Sequence, residues 1–444
     1  MRPQWLHQRP APFTRWWLVV CTALALIVSA YATSSSSGRT SRTAAAHNAS
    51  KAVAKSRTAT TAAKGLSAKD IRVVHSYVGG TIGAKATKSP IQIGMVVSNA
   101  GATGQPYLAS DYRNAVTIIN DDLGGIQGHP IKLVQCDFGA SAQQGQICGS
   151  QFANNPNIKA VLFGGGTTGG AQLHAANNGV KPYLCTVASP TDATAKNTFC
   201  TQAGALASGA ILTYMKKYLH AKTVAIESIT DPGLDAVVNL QKPLYAKEGI
   251  KATTGFAPAG STDVTSTLVA SGATTADAVL LELPVAATCA PFIKSLKSLG
   301  VTKPVVSLQT CSDPTVAAQV GGTPHYTFME YGQNTALPDP TGQSQVFNDA
   351  NKALLNGAGQ NSAQTFGTGL LLGKILNEIG YAKLTPAAIS AKLKAFTGPM
   401  FLGDPVLKFG VKANPAVGTT RARFFTYTSS GWKDATGGKW LSAP

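Results

Sequence analysis

Val161-Leu162-Phe163-Gly164-Gly165-Gly166-Thr167-Thr168-Gly169-Gly170 decides how the chain is read. The apolar run Ala160 to Phe163 has the length and composition of a buried strand. It stops at glycines and two hydroxyls, and a helical pattern resumes at Ala171. A strand, a glycine turn and a helix N-terminus leave backbone N–H groups without intrahelical partners, where the helix dipole favours negative charge. Three readings compete. Gly164-x-Gly166-x-x-Gly169 matches the dinucleotide fingerprint. The same residues suit a carboxylate-bearing small molecule held in a cleft, with Thr167 or Thr168 adding a hydroxyl. The plain alternative is a βα turn whose threonines only cap the following helix.

Short apolar strands alternate with amphipathic helices on both sides of this stretch. Before it lie a strand at Ile91 to Val97, a helix at Tyr107 to Asn120, a strand at Ile131 to Cys136 and a helix from Ser141 to Asn154. After it come a helix at Ala171 to Asn178, a strand at Tyr183 to Thr186 and a helix at Ala205 to Tyr218. A second such series begins at Val224-Ala225-Ile226 and runs to the strand Val305 to Leu308. Alternation of this kind predicts an α/β fold built of βαβ units around parallel sheets, here as two similar lobes. Helices near 343–379 are expected to return to the first lobe, so the chain crosses between lobes more than once. Val406 to Phe409, Arg421 to Tyr427 and Gly431-Trp432-Lys433 read as short antiparallel strands. The expected division is 90–220 with a return segment at 335–385 for the first lobe, and 221–334 with C-terminal strands at 386–444 for the second.

At 444 residues the chain is too long for one ordinary core. Its formal charge of +18 is concentrated at one end: residues 1–90 hold 13 Lys and Arg against a single acid, Asp70. No basic stripe interleaved with aromatics follows, which argues against nucleic-acid binding. Arg2, Arg9 and Arg15 precede the apolar run from Trp16 to Ala32, which ends in Ala30-Tyr31-Ala32. This is the build of an export signal with a small-residue cleavage site; left uncleaved, the run would anchor the chain. Residues 33–89 are expected to form a basic linker, rich in Ser, Thr and Ala, flexible because it can bury too little to offset its ordering entropy. It could contact an anionic membrane surface. Of seven cysteines, Cys21 sits in the apolar run and six form near neighbours, Cys136/Cys148, Cys185/Cys200 and Cys289/Cys311. In an oxidising compartment these predict three local disulfides; in the cytosol, six buried thiols.

With Ile91-Gln92-Ile93-Gly94 opening the first strand, Asn120-Asp121-Asp122-Leu123-Gly124-Gly125-Ile126-Gln127-Gly128, the glycine–threonine turn, Ala188-Ser189-Pro190, Phe396-Thr397-Gly398 and Phe401-Leu402-Gly403, the chain over about residues 90–430 resembles a type I periplasmic substrate-binding protein. The branch is that of the leucine/isoleucine/valine-binding proteins. The resemblance implies two lobes joined by a multi-strand hinge and closing on a small molecule, which is then delivered to an ABC transporter permease. It gives the ligand carboxylate to Gly166, Thr167, Thr168, Ala188 and Ser189. In the second lobe, Gln309 stands where amino-acid binders of the family present an acid to the ligand ammonium. Either Asp231, Glu282 or Asp313 substitutes, or the ligand is an amide, a carboxylic acid or another polar metabolite. The same fold would also serve a tethered sensor or structural envelope protein without transport.

The dinucleotide reading lacks its acidic ribose partner about 20 residues on: the next strand ends in Thr186-Val187-Ala188-Ser189. Neither a G-x-S-x-G elbow nor an H-E-x-x-H helix occurs, and His129, His174, His220 and His325 are scattered. No enzymatic activity, cofactor or metal is expected.

Overall fold

The computed structural model describes residues 65–98, 105, 107–139, 141–164, 169–187, 189–354, 362–411 and 414–444, all within one structural unit. The expected export signal, most of the expected basic linker, Gly166, Thr167, Thr168 and Ala188 lie outside the described residues.

Ser67 opens helix α1 (Ala68–Val78) with a capping box: its hydroxyl accepts from the Asp70 backbone N–H, and the Asp70 carboxylate accepts from Ser67 N–H. Val74, Tyr77 and Val78 recur at helical spacing and are buried. The expected linker is corrected at its C-terminal end, because this segment has an apolar stripe to bury and a cap to start it.

The first sheet is formed by β1 (Ile91–Val97), β2 (Ile131–Asp137), β3 (Ile158–Phe163), β4 (Tyr183–Val187) and β5 (Thr198–Gln202), all parallel in the order β2-β1-β3-β4-β5. Helices α2 (Tyr107–Asp121), α3 (Ala142–Asn154) and α4 (Gly170–Asn177) connect the first four strands. Strand β5 is absent from the sequence reading, which passes from β4 straight to a helix. Its Thr, Cys and Gln side chains look like a loop, yet all five residues are buried. Burial there is supported by hydrogen bonds, such as Thr201 Oγ1 to Thr186 O at 3.2 Å.

After α5 (Ser208–Lys217) the second sheet begins. Its parallel part is β6 (Thr223–Ile229), β7 (Lys251–Ala257), β8 (Ala278–Leu281), β9 (Val305–Leu308) and β10 (Thr327–Glu330), with helices α6 (Pro232–Lys247), α7 (Thr265–Ser271), α8 (Ala286–Ser298) and α9 (Pro314–Val320) between strands. Then come α10 (Gln343–Leu354), α11 (Ala363–Ile379), α12 (Pro386–Lys394) and a separate two-stranded sheet of β11 (Thr397–Gly398) with β12 (Leu407–Lys408). Finally β13 (Arg423–Thr428) and β14 (Gly431–Asp434) add antiparallel to β10, giving the order β14-β13-β10-β9-β8-β6-β7.

Three apolar clusters hold the layers. The first packs α1, α2, α10 and α11 on one face of the first sheet, through residues such as Tyr77, Ile119, Phe366 and Leu370. It also takes Ile389, Leu393, Phe396, Phe401, Leu407 and Phe409. The segment from 386 to 409 therefore differs from its expected place with the second lobe, because its apolar residues are buried against the first sheet. The second cluster runs without a break from the other face of the first sheet (Phe138, Phe163) through α5 (Tyr214) to the second sheet (Val306, Phe424). The third covers the far face of the second sheet with Leu268, Phe292 and Phe328.

Disulfides join Cys136 to Cys148, Cys185 to Cys200 and Cys289 to Cys311, the near-neighbour pairs of the sequence. No helix among the described residues is long and apolar enough to cross a membrane.

Glu227 of β6 is fully buried, with the Ser271 hydroxyl donating to Oε1 and no partner for Oε2 among the described residues. Burial pushes its carboxyl from 4.5 up to about 7. The folded state thus holds a proton that the unfolded chain releases, and this share of stability is present below pH 4.5 and lost as pH rises through about 7. Glu227→Gln should flatten that fall and stabilise the protein above pH 7, at roughly 1.4 kcal/mol per pKa unit removed. Denaturant melts across pH 5–8 read the effect; parallel curves for the two proteins would refute it.

Candidate functional site

In both sheets the strand order reverses beside the first strand of the series, β1 in one and β6 in the other. Open α/β sheets bind ligands outside the carboxyl ends of strands at such switch points. Ser98 follows β1 directly, and its buried Oγ has no hydrogen-bond partner among the described residues. Across from it, Gln105 Nε2 donates to Pro284 O at 3.2 Å, tying the loop after β1 to the loop after β8.

A cavity of about 770 Å³ opens beside the ends of β9 and β10, and none of Ser98, Gln105 and Pro284 lines it. One wall comes from the second sheet: Gln309, Thr310 and Asp313 after β9, then Glu330 at the end of β10 with Asn334 just beyond. The opposite wall comes from elements packed on the first sheet: Tyr107 of α2, Asn348 and Asn351 of α10, and Gln364 of α11. Gln309 Nε2 donates to Gln364 Oε1 at 3.3 Å, a second bond between the lobes. Cys289–Cys311 ties α8 to the turn that carries Gln309 and Asp313, so this rim is covalently braced.

The charges are arranged as follows. Asp313 caps α9, its Oδ1 accepting from the Thr315 backbone N–H at 2.7 Å and from the Thr315 hydroxyl. Burial pushes the Glu330 carboxyl from 4.5 up to about 8, although Asn334 donates to it at 2.7 Å and Arg423 lies nearby. It is mostly protonated at pH 7. Burial also raises the Tyr107 phenol, with the Asp111 and Asp313 carboxylates adding to the shift. Asp111, itself raised by burial, accepts from Ser362 N–H at 2.7 Å and so fixes the start of α11.

Of the residues singled out in the sequence, the cavity brings Gln309 and Asp313 together. Ser189 does not line it; its hydroxyl meets Thr191 Oγ1 at 2.9 Å, and its N–H donates to Asp192 at 2.7 Å. Asp192 in turn pairs with His174 at 2.5 Å, so a buried His–Asp couple holds this turn. Asp231 accepts from Gly233 and Leu234 N–H groups as the cap of α6. Glu282 is buried beneath the junction, its Oε2 accepting from Gln241 Nε2 at 3.1 Å, and burial raises its carboxyl. The residues that the sequence reading missed are Tyr107, Glu330, Asn334, Asn348, Asn351 and Gln364. On α10 the signal was present as a polar face at helical spacing, but such a face reads as solvated until its partner wall is known. Among the described residues, no group of three or more His, Cys, Asp or Glu is placed to hold a metal ion.

The sequence profile of the periplasmic binding protein family matches residues 90–431. No curated protein sequence matches the chain significantly. Among solved structures it is similar to the leucine-binding protein LivK of Thermotoga maritima, with a TM-score of 0.63, 14% identity, and coverage of 79% of this chain and 99% of that one. A fatty acid ABC transporter substrate-binding protein of Thermomonospora curvata gives a TM-score of 0.66 at 16% identity, covering 82% and 94%. LivJ of Streptococcus pneumoniae, solved with isoleucine, gives 0.62 at 15% identity, covering 78% and 98%. These likenesses establish the fold, and with the profile match over most of its length the chain belongs to the periplasmic binding protein family.

Proposed function

We propose that the chain is an exported solute receptor that captures a small polar molecule, carboxylates included, between its lobes and delivers it to an ABC-type importer. The observation that carries this reading is the cavity of about 770 Å³ with one wall from each lobe. A ligand favours the closed arrangement only by contacting both walls. Three disulfides suit an oxidising compartment. In this reading Gly166, Thr167, Thr168 and Ala188 supply the first-lobe contacts, with Ser189 behind them through its bond to Asp192, and Gln309 and Asp313 supply the second-lobe ones. Asp231 and Glu282 serve behind them, through the start of α6 and through Gln241. Each charge-assisted hydrogen bond lost would cost about 1.5–3 kcal/mol.

A thermal-shift panel of amino acids, amides, short carboxylates and sugars on the full chain tests the reading, since a ligand of the native state raises the midpoint. Thr167→Ala with Thr168→Ala should weaken the best hit at least tenfold. Unchanged affinity would remove the first-lobe assignment, and a panel with no response would remove the receptor reading.

A further inference from the structure

Side-chain carboxamides dominate the cavity wall. Gln309, Asn334, Asn348, Asn351 and Gln364 reach it from four separate elements. Their bonds hold them in place: Gln309 Nε2 with Gln364 Oε1, Asn348 Nδ2 with Thr335 O at 3.0 Å, and Asn351 Oδ1 with Asn114 Nδ2 at 3.4 Å. Each of these bonds engages one end of a carboxamide and orients the other, so these four offer both donors and acceptors in set positions, whereas Asn334 has both ends engaged, by Glu330 and by the Ala336 N–H.

Fixed charge is scarce by comparison. Glu330 is mostly protonated at neutral pH. Asp313 has one oxygen committed to α9, and Lys352 sits exposed at the rim. A ligand carboxylate or ammonium would lose water and gain little in return, a poor exchange for a charge. A long alkyl chain would leave the carboxamides unpaired at about 1–3 kcal/mol each. A hydroxyl, by contrast, donates and accepts as a carboxamide does. Trp432 and Tyr107 line the same space and give a ring's C–H face an aromatic surface to pack on. The volume lies within the range of about 300–1,000 Å³ typical of small-molecule sites.

We propose that this cavity takes an uncharged polyhydroxylated solute, a sugar or polyol, gripped by carboxamides from both lobes. The inference rests on the receptor reading above and narrows it to a ligand class.

Calorimetric titration of the full chain with neutral mono- and disaccharides and polyols, with amino acids, with short carboxylates and with short peptides tests it. Heat from a sugar or polyol is expected. That binding should fall at least tenfold in Asn348→Leu, which removes one carboxamide, and in Ala336→Trp, which fills the cavity from an exposed position and spares the core. Binding of amino acids, carboxylates or peptides in place of sugars would overturn the ligand class and leave the receptor reading standing. Sugar binding undiminished in a folded Ala336→Trp would overturn the assignment to this cavity. Silence from every class would overturn both.

Discussion

Asp404→Ala is expected to lower the unfolding free energy by about 3 kcal/mol, the lower part of the range for breaking a buried ion pair. Asp404 is 1% exposed. Its carboxylate takes the Val406 backbone N–H at 2.7 Å, the Thr419 hydroxyl, and both Nε and a terminal nitrogen of Arg421. Thr419 and Arg421 lie on the segment that leads from β12 to β13, and hence from the first cluster to the second sheet. Alanine would leave all these donors without their acceptor at once. The guanidinium is one-third exposed and regains some water, which keeps the cost from reaching the upper end of the range. Asp404→Asn keeps part of the acceptor set and should cost less. Guanidinium melts read the effect as a lower midpoint at unchanged slope, and a shift worth under 1 kcal/mol would show that the pair is dispensable.

Removal of the Cys185–Cys200 disulfide, as Cys185→Ala with Cys200→Ala, should cost a similar amount. Its 15-residue separation corresponds to about 3 kcal/mol of lost restraint on the unfolded chain. The position adds to this. The two cysteines face each other on neighbouring strands β4 and β5, and the Cys200 backbone pairs with Ala416 O at 2.6 Å and Gly418 N at 2.9 Å. One cross-link therefore braces the strand that leads into the Ser189 turn, the edge of the first sheet and a passage between lobes. Melts with and without reductant should differ for the native chain, and the double variant should lose most of that difference if this bridge dominates. A variant as stable as the oxidised parent would contradict the expectation.

The fold was legible because parallel strands buried on both faces are written as short apolar runs, and β1, β3, β4, β8 and β9 all are. Strand β5 escaped because Phe199 and Cys200 are its only apolar side chains, and the rest of its burial is supported by a disulfide and hydroxyl bonds. Helix α1 escaped because its cap, Ser67 with Asp70, sits at the end of a basic low-complexity run that hides it. Along the cavity wall, Gln309 and Asp313 could be singled out because they follow a strand that the sequence marks. Asn348, Asn351 and Gln364 could not. They belong to helices that return to the first sheet after the second has formed, and only that return sets them opposite Gln309.

The second apolar cluster, which fills the space between the two sheets through α5, has a consequence for the life of the molecule. Neither half owns its own interior there: cut apart, each would present Phe163 or Phe424 and their neighbours to water. Heating should therefore melt the whole in one cooperative step. Fragments made separately should stay insoluble until they meet.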